Sequence, residues 1–264
     1  MYDFEYQRPA SLADAVSALK AAEDGKLVAG GHTLIPTLKQ RLAMPSDVVD
    51  IGGLGDLKGV SVANGVVSIG SMTTHDTVAN SADVQGAIAA LASLAGGIGD
   101  PMVRNRGTIG GSIANNDPAA DYPGAVLGLG ATVVTNKREI AGDDFFTGMF
   151  ETALEEGEIV VRVDFPVPEK AAYIKFPNPA SRYAIVGVFV AKTAGGVRVA
   201  VTGAAPCAFR ATEMEQALNG NFAASALDGV KASADDLNSD IHASAEYRAH
   251  LIGVMAKRAV AAAG

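Results

Sequence analysis

The 264-residue sequence predicts an α+β protein of two domains, and three observations predict it. Short buried strand patterns alternate with helical ones up to about residue 56. Period-two runs and turn signals dominate from there to residue 168, and strands followed by helices fill 169–264. Alternation of strand and helix suggests parallel pairing, whereas period-two runs joined by two turn residues mark a hairpin. Hydrophobic residues make up 48% and charged residues 19%, which suits packed cores rather than disorder. The expected organisation is residues 1–168 as one domain, with an αβ lobe of about 1–56 and a β-rich middle lobe of about 57–168. Residues 169–264 form a smaller α+β domain.

Taken in order, Ser11 with Asp14 three residues on is a capping-box-like start to "SLADAVSALKAA", whose Leu12, Ala15, Val16 and Leu19 share one helical face. "KLVAGG" reads as a buried strand entering a glycine turn, "TLIPTLKQRLA" as a short helix and "DVVDI" as a second buried strand. "GVSVANGVVSIGSM" is a pair of strands joined by Asn64-Gly65, a strong short hairpin signal. Residues 84–95 and "DYPGAVLGL" read as helices, "ATVVTNKREI" and "EIVVRVDFPVP" as strands. Pro166 and Pro168 mark the domain boundary. Beyond it come the strands "YIKF", "AIVGVFVAKT" and "GVRVAVTGAA", then helices that end with "SAEYRAHLIGVMAKRAVAAA".

Composition excludes several functions. The net charge of −8 argues against a nucleic-acid surface. Cys207 is the only cysteine, so neither an intrachain disulfide nor a cysteine-ligated zinc or iron–sulfur site is expected. The four histidines are scattered, without metal-ligand spacing, and no metal site is expected. The first residues lack the basic and apolar regions of a signal peptide. No apolar run is long enough for a transmembrane segment. Any redox chemistry therefore falls to a bound organic cofactor or to a partner chain.

Two segments share one design: "LVAGGHTLIP" (27–36) and "GTIGGSIANNDP" (107–118). Each sets a Gly-Gly pair after apolar, strand-like residues and follows it with a polar donor. Glycine admits close backbone approach and φ > 0, so successive N–H groups can converge on one concavity. Thr33 adds the amino end of a short helix, a favourable place for anionic oxygens. Hydrogen bonds to charged groups contribute roughly 1.5–3 kcal/mol each, so two facing turns can hold a diphosphate without a lysine. Taken alone, either pair also fits an ordinary tight turn.

"AGGHTLIPTLKQRLAMPSDVVDI" together with "MVRNRGTIGGSIANNDPAADYP" resembles the FAD-binding medium subunit of the molybdenum hydroxylases, most closely its carbon monoxide dehydrogenase branch, which is related to the flavin domain of xanthine dehydrogenase. The likeness runs from "FEYQRPASLADAV" to the closing helix. It implies a two-lobed FAD-binding domain of the PCMH type, followed by a C-terminal domain of the carbon monoxide dehydrogenase flavoprotein type. It implies non-covalent FAD between the lobes, with Ala29, Gly30, Gly31, His32, Thr33 and Leu34 at the first pyrophosphate turn. Thr108, Ile109, Gly110, Gly111 and Ser112 would form the second, and Asp121 would accept a hydroxyl of the ribitol or another part of FAD. The same Asp121 is a candidate helix N-cap. The match further implies a flavin-ring contact from the backbone of Val160, Lys175 at the pyrimidine side of the ring and Tyr183 over its face. Ile98 stands where the xanthine dehydrogenase branch has an aromatic residue, so packing rather than stacking is implied there.

The resemblance also implies an electron-transfer subunit with no catalytic acid–base residue of its own. A large subunit would carry molybdopterin and a small one two [2Fe-2S] clusters, assembled as a dimer of heterotrimers. Electrons would pass from the clusters through FAD to an external acceptor. A cytoplasmic location is implied, with the acceptor as the route to any association with the inner face of the membrane. Two rival readings accompany this one: a self-sufficient flavin oxidase, and a non-catalytic nucleotide-binding or scaffold protein.

Overall fold

The structure, a computed structural model, describes all residues from Met1 to Gly264. The N-terminal lobe comprises β1 (Glu5–Gln7), α1 (Leu12–Ala21), β2 (Gly25–Val28), α2 (Leu34–Lys39) and β3 (Asp47–Asp50). Its strands form a parallel sheet in the order β1–β3–β2. Parallel neighbours need crossovers, which α1 and α2 supply. Ser11 caps α1: the Asp14 N–H donates to its hydroxyl at 3.1 Å, and that hydroxyl donates back to the Asp14 carboxylate at 2.7 Å. Ala15 of α1 packs with Val49 and Ile51 beneath the sheet.

The middle lobe opens with β4 (Val60–Ala63) and β5 (Val66–Gly70). Asn64 and Gly65 join them at φ 51° and 74°, the left-handed pair that a tight hairpin turn requires. Helices α3 (His75–Asn80), α4 (Ala82–Ala87), α5 (Ala89–Gly96), α6 (Pro101–Arg104), α7 (Ile109–Asn115) and α8 (Tyr122–Leu129) follow. Then come β6 (Thr132–Thr135), β7 (Glu139–Ala141), α9 (Gly142–Phe145), β8 (Phe146–Gly148), β9 (Glu151–Thr152) and β10 (Val160–Pro166). The antiparallel order β4–β5–β10–β6–β7 brings the first hairpin against the last strand of the lobe. The stretch 84–95 is not one helix, because the backbone breaks at Ile88 (φ −141°, ψ 74°), where α4 gives way to α5.

The C-terminal part contains β11 (Lys170–Pro177), β12 (Ala184–Thr193), β13 (Gly196–Thr202) and β14 (Phe209–Arg210), paired antiparallel in chain order. Two helices, α10 (Thr212–Gly220) and α11 (Ala245–Ala263), cover one face and bury Val186, Val188 and Val190 against Ile252 and Met255. The other face lies on α8 and α5 of the middle lobe. At Gly128 of α8 the contact is so close that a Cβ would stand 2.7 Å from the Phe189 ring. With both faces covered, β12 reads as an unbroken apolar run rather than an alternation. This packing brings β11 and the 178–183 loop up to the edge of the middle lobe.

Candidate functional site

A cleft of about 550 Å³ lies where the N-terminal lobe, the helices of the middle lobe and the 178–183 loop meet. Its size suits a large organic cofactor. All of the sequence-predicted site residues line it except Ile109 and Lys175.

The two glycine segments do face one another. A Cβ on Gly30 would lie 2.0 Å from the Arg106 carbonyl oxygen and 2.9 Å from the Gly107 Cα. Glycine at 30 is therefore what lets the lobes touch. Gly31 has φ +75°, which turns the chain into α2. From Gly30 to Leu34, no backbone N–H donates to any protein oxygen; Thr33 precedes α2 without a side-chain cap. Five consecutive free donors beside a cleft are what an anion-binding turn requires.

The second segment is built differently, and here the expectation of a matching turn needs correction. Thr108 is the N-cap of α7, so Ile109–Ser112 form helix rather than a strand end and glycine turn. Ile109 N–H donates to Thr73 O (3.1 Å) and Gly110 N–H to Ser71 O (2.8 Å). Gly111 N–H donates to the Thr108 hydroxyl at 3.2 Å and Ser112 N–H to Thr108 O at 3.0 Å. The amides of Ile109–Ser112 are thus all occupied by protein acceptors, which leaves Thr108 N–H as the one amide of residues 108–112 without one. Gly110 is needed because a Cβ would meet Ser71 Cβ at 2.5 Å and Ser71 O at 2.7 Å. The Ile109 side chain is fully buried in the middle-lobe core, away from the cleft. What this segment offers the cleft is close glycine surface and the side chains of Thr108 and Ser112.

The tail of the same motif holds the neighbouring loop. Asn116 ends α7 in the left-handed region (φ 43°), and its side-chain amide donates to Gly148 O (2.8 Å) and Glu151 O (2.7 Å). Asp117 and Asp121 then reach the cleft wall.

Asp121 does not cap α8 through its side chain. Its carboxylate instead accepts from the Tyr173 hydroxyl and from the Lys175 ammonium, the latter at 3.1 Å. Burial raises its pKa above the usual carboxylate value, with Lys175 and Tyr173 pulling the other way. Lys175 thus sits behind the cleft wall rather than in it, and its ammonium also donates to Gly97 O at 2.9 Å. Tyr183 is half-exposed at the cleft mouth, and burial beside Asp117 and Asp121 pushes its hydroxyl pKa up. Its neighbour Arg182, at φ +64°, donates to Gly99 O at 3.2 Å across the entrance. Ile98 and Val160 contribute apolar surface.

Ser71 and His75, which lie outside the sequence-predicted set, are both buried in the wall. The Ser71 hydroxyl and His75 Nδ1 have no protein partner. Burial, assisted by His32 and Arg104, brings His75 down to about 4, so it is neutral at pH 7. The only signal for the pair was the polar run "SMTTH" directly after the hairpin. Glu158 also borders the cleft. Burial pushes it up, but Arg138, the Glu155 N–H and Thr135 together bring it down to about 2, so it is a structural anion.

These features fit FAD: free amides for the diphosphate, apolar surface for the rings and buried polar atoms that lack partners. Comparison with known proteins agrees. Residues 2–168 match the FAD binding domain in molybdopterin dehydrogenase, and residues 171–263 match the CO dehydrogenase flavoprotein C-terminal domain. The chain therefore belongs to the FAD-binding medium-subunit family of the molybdenum hydroxylases and is an oxidoreductase subunit. It is similar to the carbon monoxide dehydrogenase medium chain of Hydrogenophaga pseudoflava (35% identity, 98% of this chain and 96% of the relative). It is equally similar to the nicotine 6-hydroxylase medium subunit of Paenarthrobacter nicotinovorans (36%, covering 98% and 96%). A chain in the crystal structure of the cyanide-inactivated Cu,Mo-CO dehydrogenase matches with TM-score 0.91 at 34% identity, covering 100% of this chain and 98% of that one.

Proposed function

We propose that this chain carries electrons between iron–sulfur clusters on a partner subunit and an external acceptor, through non-covalently bound FAD. The observation that supports this most is the run of unpartnered amides from Gly30 to Leu34 beside a cleft lined by the family's residues. Those N–H groups hold the diphosphate. The hydroxyls of Ser112 and Ser71 lie in the same wall, and Asp121 accepts from a cofactor hydroxyl. Ile98, Val160 and Tyr183 shield the ring and limit water access. Bound FAD supplies the exchange between one-electron and two-electron carriers. The chain's own residues bind and orient it, and the half-exposed Tyr183 leaves an edge for the acceptor.

The partners in this reading are a large molybdopterin subunit and a small [2Fe-2S] subunit, in a cytoplasmic dimer of heterotrimers. Relatives named as medium chains, such as the carbon monoxide dehydrogenase and nicotine 6-hydroxylase chains, support that division. Co-expression with the adjacent reading frames tests it. The expected result is a complex that releases one FAD per medium chain on denaturation and whose flavin bleaches when the molybdenum substrate is added. The isolated chain should bind FAD but stay oxidised with that substrate. Turnover by the isolated chain would establish the self-sufficient oxidase instead.

A further inference from the structure

Lys175 and Tyr173 stand two positions apart on β11 and so share one face of the strand. Both end on Asp121: Tyr173 donates to one carboxylate oxygen and Lys175 to the other at 3.1 Å. The Lys175 and Asp121 side chains are only 11% and 5% exposed. From Lys175 a second hydrogen bond, to Gly97 O, reaches the residue before Ile98 on the opposite side of the cleft wall.

The rest of the C-terminal sheet supports the same segment. Gly203 N–H donates to Pro118 O at 2.8 Å and the Thr202 hydroxyl to Ala120 O at 2.6 Å. Gly187 on β12, the register partner of Lys175, makes room for the arrangement. A Cβ there would stand 2.2 Å from the Tyr173 hydroxyl.

We propose that Tyr173 and Lys175 are positioning residues that act on FAD through Asp121. By this route the C-terminal sheet fixes the cleft carboxylate and balances its charge. The inference rests on the reading above, in which Asp121 faces the cofactor. A bare buried carboxylate near a diphosphate would repel it and would lack solvation. Clamped by Lys175, the pair is neutral as a whole. A carboxylate offers about four acceptor positions, so two remain for a cofactor hydroxyl after Tyr173 and Lys175 are served. The C-terminal domain thereby becomes part of the FAD site without lining it at these two residues. The rival arrangement is a direct contact of the Lys175 ammonium with the flavin ring.

A double-mutant cycle separates the two. The full chain is prepared as Lys175→Met, Asp121→Asn and the double variant. Melting of the FAD-free form and FAD affinity are measured for each. Lys175→Met strands a buried charge, so the FAD-free chain should melt lower and FAD should bind roughly tenfold or more weakly. Removing the stranded charge in the double variant should recover most of both losses, whereas a direct lysine contact leaves the affinity as low as in Lys175→Met. Absence of recovery in either measurement overturns the inference. Should Lys175→Met prove too unstable to isolate, Tyr173→Phe is the milder probe and should weaken FAD a few-fold, with full affinity as the contrary result. Failure of the unaltered chain to bind FAD would instead overturn the proposed function. Unchanged FAD affinity in a destabilised Lys175→Met chain overturns only the positioning role.

Discussion

The Gly-Gly pairs at 30–31 and 110–111 look alike in sequence and do opposite work. The first leaves the N–H groups of residues 30–34 free, while the second commits those of residues 109–112 to Thr73, Ser71 and Thr108. Glycine at 30 admits the facing lobe, at 31 it permits a left-handed turn, and at 110 it lets α7 lie against Ser71. A shared dipeptide therefore marks close backbone approach, and only the hydrogen-bond partners tell whether the thing approached is ligand or protein. One segment offers free donors to the cleft, and the other builds the wall beside them.

Substitutions can break this contrast. Gly110→Val should have the largest effect, because its side chain would run into the Ser71 backbone rather than into ligand. A loss of about 3 kcal/mol or more in stability is expected, read as insoluble protein or a much lower melting temperature even without FAD. A well-folded Gly110→Val chain that merely lost FAD would restore the two-turn clamp expected from sequence.

Acid should loosen the second segment next. His75 N–H donates to Gly107 O at 3.0 Å, and the buried imidazole packs on Gly107. Its pKa is about 4 when folded against 6.5 ordinarily, so the unfolded chain takes up the proton first. Its effect on stability is absent above pH 6.5 and grows as pH falls from there to 4. The cost approaches about 3 kcal/mol in urea titrations. His75→Gln should remove that slope. Glu158 loses its own contribution in a lower window, as pH falls from 4.5 to about 2.

Gly31→Ala acts on the first segment. Holding alanine at φ +75° costs about 1–2 kcal/mol, and the displaced amides should weaken FAD by roughly tenfold. Titration of the FAD-free chain by flavin fluorescence checks this. The smallest effect is expected for Thr108→Ala, which removes the α7 cap at a cost of about 1 kcal/mol in melting experiments. If Thr108→Ala weakened FAD more than Gly31→Ala did, the assignment of roles would be reversed.

How much of this could be read beforehand depended on the range of the interactions. The Asn64-Gly65 hairpin, the Ser11 cap and the apolar run of β12 are governed by neighbours a few residues apart, and all were legible. β1 has only three residues, too few for any periodicity, and pairs with β3 some forty residues away. The break at Ile88 was hidden because the apolar pattern continues across it. Of the sixteen residues that the family motifs put at the cofactor, all but Ile109 and Lys175 line the cleft, yet they are fewer than half of its 33 lining residues. Their roles were less legible, since "TIGGS" carries no sign that its amides would find Ser71 and Thr73. Lys175 was expected at the cofactor, yet its register on β11 places it on Asp121. Ser71 and His75 reach the wall through long-range contacts: Ser71 O accepts from Gly110 N–H of α7, and His75 N–H donates to Gly107 O just before it.

In the proposed function one glycine segment binds through free amides, while the other is already satisfied within the protein. Amide hydrogen exchange, resolved by residue with and without FAD, tests it most directly. The amides of Gly30–Leu34 should exchange rapidly in the FAD-free chain and become protected when FAD binds. Those of Ile109–Ser112 should be protected in both states. Protection that appears at 109–112 only with FAD, while 30–34 stay open, would contradict the account.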